Sequence, residues 1–378
     1  MKKHDNPFLV IGYQGEEYFC GRKSETELLK NYLKNGQHVT LFALRRIGKT
    51  GLIHHVFNYL EEENIHCIYL DILSTTNLED LINQLASIIY QQYPPEKTKS
   101  KKIWETLKSF RPVLSFDPLD GLPELSLTFE NPAQQQKTLT QLFQLLDEQK
   151  NKFVIAFDEF QQILSYPEKN IEALLRTIIQ NLKNTTMLYC GSNQNIMHEL
   201  FNSAKRPFFA SCVNMHLGFI EQSIYHDFIA SHFKIGKQKI ESEAIDYIIN
   251  WTLTHTYYTQ YFCNFIYSKK LSTITISDVK KIALELLTLQ ENTFFQYRNL
   301  LPNAQWKLLI AIAKEENVTQ VLSGAFIQKY NLISASSVQR SLTALLEKEL
   351  IYFNTSEEKP YYQVYDKFLM RWMQHSIR

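Results

Sequence analysis

The chain predicts an α/β fold: a mainly parallel sheet covered by helices on both faces, followed by an all-α segment and a small helix-and-hairpin domain. Three observations carry this reading. Short apolar runs alternate with helical patterns through the first half, the order that builds parallel sheets. Two of those runs end in groups suited to phosphate chemistry, Gly48-Lys49-Thr50 after the first and Asp158-Glu159 after the third. Beyond residue 221 the strand signals fade and apolar residues take helical spacing.

Residues 1–22 lead in, and Ser24 to Leu33 reads as a helix, with Ser24 as N-cap and Glu27 closing a capping box. Strands are expected at 39–44, 67–72, 153–158, 186–191 and 214–219, and helices at 49–63, 77–92, 134–150, 170–183 and 193–202. Val39 to Leu44 is apolar and rich in β-branched and aromatic residues, as a strand buried on both faces requires. After Thr50, the spacing of Leu52, Ile53, Val56, Phe57 and Leu60 is helical. An insertion at 95–133 interrupts the alternation. Its basic run, Lys97 to Lys102, reads as a solvated loop, and its stretch 112–129 alternates around a Gly/Pro turn as an edge hairpin does.

Residues 221–297 read as a helical lid, with Ala244, Tyr247, Ile248 and Trp251 on one helix face. In 298–378 three helices are expected: Ala304 to Lys314, Ala325 to Tyr330 opened by Ser323, and a third capped by Ser334. Ile351 to Phe353 and Tyr361 to Tyr365 flank a polar turn and pair as a hairpin. Helix, helix, helix and hairpin describe a winged helix. The expected domains are therefore 1–220, 221–297 and 298–378.

Strand, tight loop and helix around residues 41–50 is the context of a phosphate-binding loop, G-x-x-x-x-G-K-[ST]. Its first glycine is here Ala43, while the close-approach glycine, Gly48, is present. Ala43, Arg45, Arg46, Ile47, Gly48, Lys49, Thr50 and Gly51 are the candidate nucleotide-binding residues. Loop amides and the helix N-terminus would face the phosphates, and Lys49 would neutralise β/γ charge. Thr50 and Asp158 are candidate Mg²⁺ ligands, the second through water, and Glu159 would polarise the attacking water. ATP or ADP with Mg²⁺ is the expected cofactor. Asn193 either orients that water or caps a helix. Arg45 and Arg46 face phosphates, or at least one of them makes a structural pair. His54 and His55 have no second cluster to make them metal ligands and read as helix-surface residues.

Composition bounds the rest. The chain has 378 residues, enough for two or three domains, with 44% hydrophobic and 13% aromatic residues. Net charge is +1, which gives no general argument for nucleic acid or a membrane surface. The five cysteines are scattered, which fits a reducing compartment and no zinc site. No signal core or membrane-length apolar run is present, so a cytoplasmic protein is expected.

Several motifs together resemble the prokaryotic P-loop ATPases of the STAND branch of the AAA-like superfamily. Phe19-Cys-Gly-Arg22 with Glu27-Leu28 is similar to that family's opening F-x-G-R-x-x-E-L element, with two extra residues in the spacing. Arg45-Arg46-Ile47-Gly48-Lys49-Thr50 resembles its R-R-x-G-K-T loop, and Phe157 to Gln161 its acidic strand end. Gly191-Ser192 is similar to the end of its sensor strand, and Tyr365 to Trp372 to its closing D-x-F-L-x-x-W element. The resemblance implies an ATPase domain, a helical lid and a C-terminal winged helix. Two elements depart from it. The family's arginine near the fifth strand, a candidate γ-phosphate sensor, is missing from Pro207 to Ser211, with Arg206 just before it. The lid's Gly-Gly-x-Pro is replaced by Thr254 to Tyr258. A nucleotide-controlled switch with slow hydrolysis and a protein partner is the expected function. Nucleic-acid binding through the winged helix is the first alternative: 298–378 holds ten Lys/Arg against seven Asp/Glu, a small excess for a DNA reader. A nucleotide-clamped interaction protein that barely hydrolyses is the other.

Overall fold

The five expected strands form one sheet, all of its neighbours parallel, in the computed structural model, which describes residues 5–93, 101–118, 121–355 and 358–377. The chain divides into two compact units, residues 13–16 with 22–218, and the segment ending at Gly12 with 17–21 and 219–378.

The first unit runs α1 (Lys23–Lys34), β1 (Val39–Ala43), α2 (Lys49–Glu62), β2 (His66–Asp71), α3 (Leu78–Gln92), α4 (Lys101–Ser109), β3 (Val113–Phe116), β4 (Pro123–Ser126), α5 (Pro132–Asp147), β5 (Phe153–Asp158), α6 (Ile171–Ile179), β6 (Thr185–Gly191), α7 (Gln194–Asn202) and β7 (Val213–Leu217). The sheet order is β2-β5-β6-β1-β7. Strands β1, β5 and β6 are buried along their whole length, which explains their unbroken apolar sequences. Side chains alternate between the two faces. Phe153, Ile155 and Phe157 join α3, α5 and α6 in one core, together with an aromatic group of Phe160, Tyr189, Phe201 and Phe208. Asp158 therefore points to the opposite face. The expected hairpin forms as β3 and β4, outside the main sheet, and Ser87 and Gln91 of α3 bond to the β4 backbone. Of the basic run, residues 97–100 lie outside the described residues, as do the side chains of Lys101 and Lys102.

One capping assignment differs. Arg22, not Ser24, is the N-cap of α1, in left-handed backbone (φ 64°). Ser24 donates to Glu25, and Glu27 pairs with Lys30, so no capping box forms there.

The second unit contains α8 (Gln222–Ile235), β8 (Lys239–Ile240), α9 (Ser242–Thr252), α10 (Thr256–Ser268), β9 (Thr273–Ile274), α11 (Ile276–Leu300), α12 (Asn303–Glu315), α13 (Gly324–Lys329), α14 (Ala335–Glu347), β10 (Ile351–Asn354), β11 (Tyr361–Val364) and α15 (Lys367–Ser376). The winged helix is α12, α13 and α14 with the β10–β11 hairpin, and Val318 bridges to Tyr362 beside it. One continuous core runs from α8 to α15. Helix α11, of 25 residues, crosses the boundary expected at 297, and its Phe294 packs on Trp372 of α15. Phe8 of the lead-in segment, read from sequence as part of 1–220, is fully buried in this core against Phe233. Burial of so large an apolar side chain, about 2–3 kcal/mol, ties the segment there. No helix among the described residues is long and apolar enough to cross a membrane.

Candidate nucleotide site

Strand β1 delivers the loop. Ala43 ends it, fully buried and in register with Leu217 of β7, so its methyl group belongs to the sheet. Arg45 and Arg46 follow on the exposed side of the loop, Arg46 in left-handed backbone (φ 60°), and Ile47 turns inward as a 1% exposed anchor. Gly48 has φ 96° and is the N-cap of α2. Only glycine takes that conformation without strain. Lys49 and Thr50 are the first two helical residues, followed by Gly51, so the free amides of the first turn are grouped at the end of the loop.

Arg22 supports the loop from beneath. Its guanidinium is buried, donates to the Ile47 carbonyl at 3.2 Å and pairs with Glu25 at 2.9 Å. A buried arginine held by one carboxylate and one carbonyl is a rigid prop. The sequence marked Arg22 only as part of a resemblance and gave no role for it.

The two acids arrive from β5, one strand beyond β6. Lys49 Nζ pairs with Asp158 Oδ1 and lies 3.7 Å from Glu159 Oε1. The backbone N–H of Glu159 also donates to Asp158 Oδ1, at 2.9 Å. Asp158 Oδ2 accepts from the Tyr69 hydroxyl at 2.5 Å and from Thr50 Oγ1 at 3.4 Å. Glu159, in left-handed backbone (φ 54°), turns the other way. Its Oε2 accepts from Gln161 Nε2 at 2.5 Å, from Ser192 N at 3.2 Å and from Ser192 Oγ at 2.8 Å. The adjacent carboxylates thus share Lys49 and otherwise have separate partners, as alternation along a strand end allows.

Electrostatics follow from this packing. Burial opposes the charge of Lys49, yet Asp158 and Glu159 facing it raise its pKa. Burial likewise opposes ionisation of Asp158, but the ammonium and the Tyr69 hydrogen bond hold its pKa below the usual carboxylate value. Glu159 is also lowered against its burial, by Lys49, Gln161 and Ser192. Burial and the neighbouring Asp158 push the Tyr69 phenol up, so it stays a protonated donor.

Gly191 makes the crossing possible. A Cβ there would sit 2.1 Å from Gln161 Oε1 and 2.8 Å from Met197 Sδ. Only a glycine at the end of β6 lets Gln161 lie across the strand end and reach Glu159.

Other candidates lie differently. Asn193 is the N-cap of α7, its Oδ1 accepting from Ile196 N at 3.1 Å. Arg206 pairs with Glu172 at 2.7 Å and with Glu199 at 2.5 Å. His55 is buried rather than on the helix surface, with Nδ1 at 2.8 Å from the Tyr13 hydroxyl. His54 is half-buried and its ring lies 4.7 Å from that of Tyr69. Asn193 is thus claimed by its own helix, and Arg206, His55 and His54 by side chains elsewhere in the chain.

The donor set suits Mg²⁺. A hydroxyl and a carboxylate oxygen, both hard donors, lie 3.4 Å apart at Thr50 and Asp158. Mg²⁺ bound with a nucleotide takes few protein ligands and completes its shell with phosphate and water. Among the described residues no group of three or more His, Cys, Asp or Glu could hold a metal by itself. Thr50 and Asp158 would hold the ion, which would supply charge neutralisation to the phosphates.

Residues 19–252 match a family described as an ATPase domain predominantly from Archaea, and residues 292–375 one described as a probable winged helix domain. No curated protein matches the chain. Among solved structures, the Walker-type ATPase PABY2304 of Pyrococcus abyssi is similar, with TM-score 0.65, 16% identity, and coverage of 97% of this chain and 99% of that one. The Aeropyrum pernix ORC2 protein, solved as ADPNP–ADP complexes, gives TM-score 0.57 at 15% identity, covering 97% and 96%. The Aeropyrum pernix ORC1 protein, solved in complex with DNA, gives 0.52 at 11% identity, covering 99% and 97%. At these identities the likeness concerns the fold.

Proposed function

The chain belongs to the family of ATPase domains found predominantly in Archaea, and from that premise we propose that it is a Mg²⁺-dependent ATPase acting as a nucleotide-controlled switch on its winged helix. The observation that carries the reading is the gathering of Lys49, Thr50, Asp158 and Glu159 within 4 Å of one another along a chain of contacts at one sheet edge. Open parallel sheets bind ligands at the carboxyl ends of their strands. Lys49 exchanges Asp158 for the β/γ-phosphates, Thr50 and Asp158 hold the ion, and Glu159 polarises the attacking water. In this reading the chain is of the STAND branch that its motifs resemble, and its scattered free cysteines suit the cytoplasm.

Turnover is slow in this reading. An arginine at the γ-phosphate is worth several orders of magnitude in rate. Arg206 is engaged by Glu172 and Glu199, so it reaches a phosphate only by giving up two carboxylates. Either a partner protein supplies the arginine or hydrolysis stays slow.

The switch is tested by proteolysis. A ligand shifts a conformational equilibrium only by its differential affinity for the two states. ATP and ADP differ by one phosphate, so coupling on the order of 1–3 kcal/mol is expected. Cleavage around residues 221–300 should differ between saturating ADP and a saturating ATP analogue. Identical digests with both and with neither would reject the switch and leave a nucleotide clamp.

Duplex binding by the winged helix is a second reading, motivated by the exposed face of α14. That face carries Ser336, Gln339, Arg340 and Thr343, all able to hydrogen-bond bases or phosphates, but also Glu347. Lys348 is drawn to Gln305 at 3.0 Å. A face that sets a single arginine, Arg340, among neutral polar residues and Glu347 suits a protein partner better. The full chain should therefore bind duplex only weakly at moderate salt; tight binding that falls steeply as salt rises would favour DNA.

A further inference from the structure

We propose that Tyr69 is a positioning residue of the cation site, fixing which oxygen of Asp158 is presented to Mg²⁺; this rests on the nucleotide-site reading above. Tyr69 lies on β2, in register with Ala156 of β5, two residues before Asp158. Residues two apart on a strand share a face, so Tyr69 and Asp158 share the face opposite the Phe157 core. The phenol reaches Asp158 Oδ2 at 2.5 Å.

The four donors on this carboxylate are sorted. Oδ1 receives Lys49 and the backbone N–H of Glu159. Oδ2 receives Tyr69 and Thr50. Oδ2 is thus the oxygen beside the Thr50 hydroxyl, the other cation ligand. Tyr69 fills one acceptor direction of Oδ2 and leaves the second facing Thr50. A phenol anchored at both ends is a stiff constraint. Its ring packs 4.7 Å from His54, and its hydroxyl is held by the carboxylate. When nucleotide draws Lys49 away to phosphate, the bonds from Tyr69 and from the Glu159 amide are what keep Asp158 from rotating. Hydrogen bonds that orient a metal ligand in this way set metal affinity without touching the metal.

The test is Tyr69→Phe, which removes the hydroxyl and keeps the ring against His54. Binding of a fluorescent ADP analogue is followed across a Mg²⁺ series and in EDTA, beside Lys49→Ala and the parent chain. The Mg²⁺ midpoint should rise about 10-fold in Tyr69→Phe, while affinity in EDTA and the melting temperature stay near the parent values. An unchanged midpoint with Lys49→Ala still impaired would overturn the role of Tyr69 and leave the site intact. Equal losses with and without Mg²⁺ would overturn it too, showing a structural part only. Unimpaired binding by Lys49→Ala would instead overturn the site reading itself.

Discussion

Replacing Glu159 by glutamine is expected to lower ATP turnover by about 100-fold, the usual scale for losing a general base, while ATP stays bound. The geometry makes the separation clean. All three hydrogen bonds that hold this side chain converge on Oε2, from Gln161 and from the amide and hydroxyl of Ser192. A glutamine carbonyl accepts the same three. The new amide replaces Oε1, the oxygen that lies 3.7 Å from Lys49. The side chain therefore keeps its place and loses only the charge that polarises water. Single-turnover hydrolysis with parallel calorimetry checks this. Asp158→Asn should differ by weakening the Mg²⁺ dependence along with turnover, since Asp158 faces Thr50 and Glu159 does not. If both variants hydrolyse ATP at the parent rate, the chemistry lies elsewhere.

Lys49→Ala is expected to weaken ATP binding by about 10-fold or more, equivalent to roughly 1.4 kcal/mol or greater. The ammonium is the one point charge that the β/γ-phosphates would meet at the start of α2, and the amides of the first turn remain when it is gone. The substitution also strips a cation from a buried carboxylate. Asp158 keeps its bonds from Tyr69 and from the Glu159 amide, which limits the structural damage. A thermal melt beside the calorimetry separates the two effects: a folded variant with parent affinity would remove the phosphate loop from the mechanism.

The positions of these residues were legible in sequence for a simple reason. Burial on both faces forces unbroken apolar strands, so β1, β5 and β6 announce themselves within a residue of their ends. Gly48, Lys49, Thr50, Asp158 and Glu159 then follow from where those strands stop. The winged helix was legible likewise, through serine caps at Ser323 and Ser334 that the structure retains. Local chemistry was less decisive elsewhere. Ser24 has the composition of a cap, but Arg22 takes that position because its guanidinium is needed beneath Ile47.

What sequence alone determined is the set of elements and the groups at their ends, because periodicity and chain reversal are local properties. Tertiary structure decided the partners. Sheet order put β6 between β1, which leads into the loop before Lys49, and β5, which ends at Asp158, and this brought Ser192 and Gln161 to Glu159 across Gly191. It set β2 beside β5, which gave Tyr69 to Asp158. It also gave Arg206 to Glu172 and joined Phe8 and Cys20 to a core whose remaining buried members begin at Ile220. Each of those contacts follows from which strands and helices become neighbours, and that is settled by how the apolar faces of all the elements are buried together.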